Sequence, residues 1–157
     1  MFFKNKNKLD IELCKAEIKR HEGEVLEIYM DSLGYKTLGV GHLCQPNDPE
    51  YDWAVGTSVS QEVVDMYYED DFDKHYMEAI HVFGSHEDWD NLPEVIQRVL
   101  VNMCFNLGGS RLSKFRNMLK ACREHNWKEM SVQMQDSRWY GQVGRRSKEL
   151  QEMVLGA

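Results

Sequence analysis

Between Asp10 and Glu22 apolar residues recur with helical spacing at Leu13, Cys14 and Ile18. That spacing predicts a helix with Asp10 as N-cap and Leu9 as a hydrophobic staple, ended by Gly23. Leu26, Ile28 and Met30 then alternate with Glu27 and Tyr29, the period of a strand. Asp31-Ser32-Leu33-Gly34 supplies a turn and Tyr35 to Val40 a returning strand. Gly39 and Gly41 flank Val40, which predicts a close approach to that backbone. From Cys44 to Thr57 the periodicity is lost, and Pro46 and Pro49 mark a loop. The first nine residues read as a basic lead-in.

The second half is helical in pattern. Ser60 is a good N-cap for a helix in which Val64, Tyr68, Phe72, Tyr76 and Ile80 recur every fourth position, joined by Val63, Tyr67 and Phe83. Such a helix is about 35 Å long at 1.5 Å per residue, enough to link two lobes. Its aromatic stripe reads as core. Leu92-Pro93 opens a further helix with Ile96, Val99, Leu100, Met103 and Leu107 on its buried face, stopped by Gly108-Gly109. Ser113 is placed to cap a short helix carrying Phe115, Met118, Leu119 and Cys122, and Asn126 one carrying Trp127, Met130 and Met134. A last helix runs from about Arg145 to Leu155. The expected fold is α+β and mostly helical, with no internal repeat. It has an N-terminal lobe over 11–59 with a hairpin, a connecting helix over 60–84 and a helical lobe over 85–157.

Composition narrows the function. A chain of 157 residues with 42% hydrophobic content supports an ordinary core. A net charge of −7 argues against a nucleic-acid partner, which needs a basic face to neutralise phosphates. Among the 4 cysteines no C-x-x-C pair occurs, and they read as reduced core thiols. None of the 6 histidines falls in a cluster with metal-ligand spacing. Neither a metal nor a cofactor is expected. No apolar run is long enough for stable membrane insertion, and the N-terminus has no apolar stretch after its lysines.

Three polar side chains in the hairpin region offer chemistry. Glu22 falls at a helix end, where a carboxylate faces the negative end of the helix dipole unless a cation answers it. Asp31 opens the turn and Thr37 lies on the returning strand. Glycoside hydrolysis needs one carboxylic acid to protonate the leaving oxygen and a second carboxylate across the scissile bond. Glu22 and Asp31 fit those two roles, with Thr37 helping Asp31 orient a water. Taken alone, Glu22 as a helix-end residue and Asp31 as a turn former satisfy the same letters.

The surrounding letters decide between them. E-G-x-x-L-x-x-Y-x-D-x-x-G-x-x-T-x-G-x-G-H, carried by Glu22, Gly23, Leu26, Tyr29, Asp31, Gly34, Thr37, Gly39, Gly41 and His42, resembles the signature of the phage-type lysozymes of glycoside hydrolase family 24. Met103-Cys104-Phe105-Asn106-Leu107-Gly108 is similar to that family's central helix, and Ser137-Arg138-Trp139-Tyr140 with Arg145-Arg146 to another recurrent segment. The likeness runs from about Ile11 to Leu155. It implies a lysozyme-like two-lobe fold and a muramidase that cleaves the β-1,4 bond between N-acetylmuramic acid and N-acetylglucosamine with inversion. By the same resemblance Glu22 is the general acid, and Asp31 with Thr37 holds the attacking water. Leu43, Phe105 and Asn106 line the substrate cleft, His42 pairs with Asp71 on the connecting helix, and Arg146 supplies the cation for Glu22. Trp139 reads as core.

The implied partner is the peptidoglycan glycan strand, met by a monomer. Two settings fit: an endolysin made in a bacterial host cytoplasm that needs a holin to reach periplasmic peptidoglycan, or a virion component that opens the wall. A non-catalytic saccharide-binding or regulatory protein on the same fold is the alternative from another class. The acidic charge is the discordant feature, because a negative body is slowed in approaching a negative polymer.

Overall fold

A computed structural model describes residues 7–157. Most of the basic lead-in therefore lies outside the described residues. The elements fall into two compact units, each with its own interior. One is Lys15–Lys74; the other joins the residues up to Cys14 with His75–Ala157.

The Lys15–Lys74 unit holds the sheet. Helix α1 (Ile11–Glu22) begins just before it. Asp10 caps that helix, its Oδ1 accepting the Leu13 N–H at 3.0 Å. Gly23, at φ 76°, closes it through an N–H donated to the Lys19 carbonyl at 2.8 Å. Strands β1 (Val25–Met30), β2 (Lys36–Gly39) and β3 (His42–Leu43) form an antiparallel sheet in that order. Tyr29 pairs with Thr37, and Thr37 with Leu43. The expected hairpin is present, and the Gly-Val-Gly segment is a second tight turn, with Gly39 at φ 60° and Gly41 at φ 64°. Ile28 is fully buried, but Leu26 and Met30 are 44% and 51% exposed. Pairing along β1 slips between Val25 and Tyr29, the stretch that holds Leu26, whereas Met30 stands at the hairpin end of the strand in regular register with Lys36. A bulge re-aims the side chains on either side of it.

The Cys44–Thr57 stretch is more ordered than a plain loop. It contains a 3-10 turn at Pro49–Asp52. Its end then runs beside β1, where Ile28 donates to Thr57 O and Val59 to Leu26 O, at 2.9 and 3.0 Å. Helix α2 (Gln61–Phe83) starts at Ser60, whose Oγ accepts the Val63 N–H. In this unit α2 buries Val64, Tyr68 and Phe72. Lys15 links α1 to it by pairing with Glu69, while its ammonium stands over the rings of Tyr68 and Phe72 at 5.6 and 5.8 Å.

In the other unit, α2 ends with its last carbonyl taken by Arg123, whose Nη2 donates to Phe83 O at 2.8 Å. Helix α3 (His86–Asp90), capped by Ser85, was not foreseen. Pro93 stands at the N-cap of α4 (Glu94–Leu107) rather than inside its first turn. Helix α4 is the core element, with Ile96, Val99, Leu100, Met103 and Cys104 at 0–1% exposure. Gly108, at φ 81°, stops α4, but Gly109 re-enters a helix at once as α5 (Gly109–Leu112). Ser113 therefore closes α5 instead of capping the next helix. Helix α6 (Arg116–Arg123) follows Phe115 with no side-chain cap. Asn126 caps α7 (Trp127–Gln135) as expected, accepting from Glu129 N at 3.1 Å, a contact of about 1 kcal/mol. Ser137 likewise caps α8 (Arg138–Val143), a helix the sequence reading left unassigned. Helix α9 (Arg145–Leu155) completes the chain. All 4 cysteines are buried and reduced.

Candidate active site

The hairpin brings the acid candidates of the Lys15–Lys74 unit together. Glu22 is the last residue of α1, and Lys19, Arg20 and His21 fill the same final turn. They oppose the negative end of the helix dipole at which the carboxylate sits. Oε1 of Glu22 lies over the Gly41 backbone, so close that a Cβ on Gly41 would stand 2.7 Å from it. The Gly41 gap thus seats the carboxyl against the turn between β2 and β3.

Asp31 follows β1 directly. Its Oδ1 accepts the backbone N–H groups of Leu33 at 2.9 Å and Tyr35 at 2.8 Å. This is the Asx geometry that makes aspartate a turn residue. Oδ2 takes part in neither bond, so one oxygen fixes the carboxylate while the other stays available as an acceptor. Thr37 is 4% exposed, and its hydroxyl donates to Tyr35 O at 3.0 Å. Asp31 and Thr37 are thereby attached to one backbone position: Tyr35 gives its N–H to the first and its carbonyl to the second.

Tyr29 joins these residues, a participant the sequence reading quoted within the motif without giving it a role. Burial pushes its phenol above the ordinary value, and the charges of Glu22 and Asp31 push it further. Both carboxylates therefore act on one phenol.

His42 is a support. It is 8% exposed, with Nδ1 2.7 Å from Asp71 Oδ2 and Nε2 2.8 Å from Asp48 Oδ2. Its ring stacks on Tyr67 at 4.0 Å and 18°, and the Tyr67 hydroxyl donates to Glu50 at 2.6 Å. Burial works against a charged imidazole, but the hydrogen bonds and charges of Asp71 and Asp48 outweigh it and hold His42 above 6.5. Asp71 was anticipated as its partner. Asp48 and Glu50 were not, because they sit in the segment read as a loop. Leu43, on β3, is 44% exposed.

The remaining candidates lie in the other unit. Phe105 is 9% exposed and meets the His75 ring edge-on at 5.1 Å. Asn106 Oδ1 accepts the indole N–H of Trp139 at 2.8 Å, and Trp139 is itself 3% exposed. Arg146 is buried, with Nε donating to Asn102 Oδ1 at 2.9 Å. In the same unit a cavity of about 470 Å³ is lined by Arg111, Lys114, Arg116 and Arg138, with Asp136 the acidic residue among its walls. Overall composition could not reveal this basic concavity on an acidic chain. Its cations come from α5, α6, α8 and the link between α5 and α6. Among the described residues no helix is long and apolar enough to cross a membrane.

Comparison with known proteins identifies the family. The family model described as phage lysozyme matches residues 19–152. Probable T4-type lysozyme 2 of Dictyostelium discoideum is 30% identical over 149 residues, covering 85% of this chain and 88% of that protein. Probable T4-type lysozyme 1 of the same organism is 28% identical over the same shares. The pre-baseplate central spike protein Gp5 of Enterobacteria phage T4 is 27% identical over 154 residues, which are 88% of this chain but only 27% of that protein. The chain belongs to the phage lysozyme family and is a glycoside hydrolase, a peptidoglycan hydrolase of the muramidase type.

Proposed function

We propose that the chain cleaves the β-1,4 bond between N-acetylmuramic acid and N-acetylglucosamine by single displacement with inversion. Glu22 gives its proton to the glycosidic oxygen as the bond to the anomeric carbon breaks. A water attacks that carbon from the opposite face and passes a proton to Asp31, and proton exchange with solvent restores both carboxyls. Thr37 and the bonded oxygen of Asp31 fix the acceptor that orients the water. The observation that carries this reading is the Asp31 carboxylate, held through one oxygen by two backbone N–H groups with its second oxygen outside those bonds. Leu43, Phe105 and Asn106 are assigned to substrate contact. His42, Asp71 and Arg146 are assigned to support.

The basic cavity eases the conflict between a net charge of −7 and an anionic wall. Local potential, not net charge, governs the approach of a charged polymer over a Debye length of about 8–10 Å. We assign the activity to lysis of a bacterial host by a monomer acting on periplasmic peptidoglycan, with a holin opening the way. A virion-associated role in wall opening is the second reading, and the similarity to a phage spike protein favours it.

Digestion of purified peptidoglycan, followed by identification of the new chain ends, tests the chemistry. The expected product carries a reducing N-acetylmuramic acid, first seen as the α-anomer by NMR. A 1,6-anhydro end or released peptides would exclude the hydrolysis proposed, and an initial β-anomer would exclude inversion.

A further inference from the structure

Away from the hairpin, α2 carries His75 and Glu78 one turn apart, and α4 presents Cys104 to them. One ligating atom from each lies within 4.8 Å of the other two. The sequence reading missed this group because its third member is far along the chain. The local signal was H-x-x-E, which places both side chains on one helix face.

We propose that His75, Glu78 and Cys104 form a binding site for a thiophilic divalent cation of the zinc class. Imidazole nitrogen, thiolate sulfur and carboxylate oxygen are the ligand types zinc selects, whereas calcium and magnesium require oxygen shells. In a tetrahedral zinc site, bonds of 2.0–2.3 Å put ligand atoms about 3.5 Å apart. His75 Nδ1 and Glu78 Oε1 are already 3.0 Å apart. The sulfur needs to close by only about 1 Å on the widest spacing, within the reach of side-chain rotation.

Orientation and charge agree with this role. Glu78 Oε2 accepts the Gly109 N–H at 3.1 Å, a fixed outer contact that turns the other oxygen toward His75. Gly109 is needed for that contact, since a Cβ there would stand 2.7 Å from Oε2. The Phe105 ring, packed edge-on with its centroid 5.1 Å from that of the imidazole, holds the imidazole plane. Cys104 is fully buried, while the His75 and Glu78 side chains are 19% and 34% exposed. The atoms that face one another, His75 Nδ1 and Glu78 Oε1, are nonetheless shielded from solvent like the Cys104 thiol, so the group is a buried one. Neutral imidazole, thiolate and carboxylate together carry two negative charges, which a divalent ion cancels. On binding, Cys104 releases its thiol proton to solvent. The ion would join the end of α2 to α4 and the start of α5.

The test is cobalt titration of the reduced, chelator-stripped full chain, independent of wall cleavage. One equivalent should produce a thiolate-to-cobalt charge-transfer band with visible tetrahedral bands, and zinc should displace them. Cys104→Ser should abolish the charge-transfer band, and His75→Ala and Glu78→Gln should each weaken binding at least tenfold. Zinc should also raise the Tm of the wild type, with a smaller rise in all three variants; circular dichroism identifies any variant that fails to fold. Absence of the band in the wild type, or its persistence at full strength in folded Cys104→Ser, would overturn the site.

Discussion

Glu22 occupies the space that a side chain on Gly41 would need: a Cβ there would stand 2.7 Å from Glu22 Oε1. Gly41 also adopts φ 64°, where an L-residue costs roughly 1–2 kcal/mol. Gly41→Ala should therefore lose both stability and activity. Gly56 has φ 91° and nothing within 4 Å of an added Cβ, so Gly56→Ala should lose comparable stability alone. Tm and wall-clearing rate measured side by side separate the two. Equal activity loss in both variants would remove the special role given to the Glu22–Gly41 contact.

Asp31 combines a turn role with a charge role, and two substitutions separate them. Asn in its place keeps an oxygen for the Leu33 and Tyr35 N–H groups. Asp31→Asn should thus unfold within about 1 kcal/mol of the wild type while its clearing rate falls by about 10²–10⁴-fold. Asp31→Ala should lose the activity and also about 2 kcal/mol in urea unfolding, because two turn N–H groups lose their acceptor. An active Asp31→Asn would leave Asp31 as a turn former only.

His42 gives the fold a pH dependence of definite sign. Its pKa is raised in the folded chain, so its contribution is complete below about 6.5 and is lost as pH rises through the higher folded value. Burial disfavours the Asp48 carboxylate, but the Gln45 N–H and His42 outweigh it and hold Asp48 below 3.8. Its contribution is present above 3.8 and lost as pH falls through the lower folded value. Urea unfolding should show this network strongest between those limits and weaker at pH 8.5. Asp71→Asn should cost about 2 kcal/mol at pH 5.5, less at pH 8.5, and reduce the slope between them. A slope unchanged in that variant would assign the pH dependence elsewhere.

The parts of this architecture that were legible in the sequence are those set by local chemistry. Asp10, Ser60 and Asn126 each accept a backbone N–H three residues on, and Gly23 closes α1. The places of Glu22 and Asp31, a helix end and an Asx turn, were legible locally; the catalytic roles proposed for them come from the family resemblance, not from local geometry. Short elements escaped. β3 has 2 residues and α5 has 4, too few to display a period. Leu26 lies in a stretch where pairing slips, which strand alternation cannot reveal. Asp48, the basic cavity and the His75–Glu78–Cys104 group were hidden because tertiary folding assembles them.

The basic cavity should govern how the enzyme responds to salt. Replacing Arg111, Lys114, Arg116 and Arg138 together by Gln should slow wall clearing several-fold at low ionic strength. With that local positive field removed, repulsion from an acidic body remains, and added salt should then accelerate clearing. Rates across a salt series for both proteins check this; superimposable profiles would exclude the cavity from substrate approach.

In the proposed mechanism Glu22 supplies the proton that breaks the glycosidic bond. The direct measurement is the fall in turbidity of permeabilised Gram-negative cells treated with wild type and Glu22→Gln, each shown to be folded by thermal melting. Gln matches the shape of Glu but has no carboxyl proton to give. The wild type should clear the cells and Glu22→Gln should lose nearly all of that activity; clearing by Glu22→Gln at the wild-type rate would rule Glu22 out as the acid.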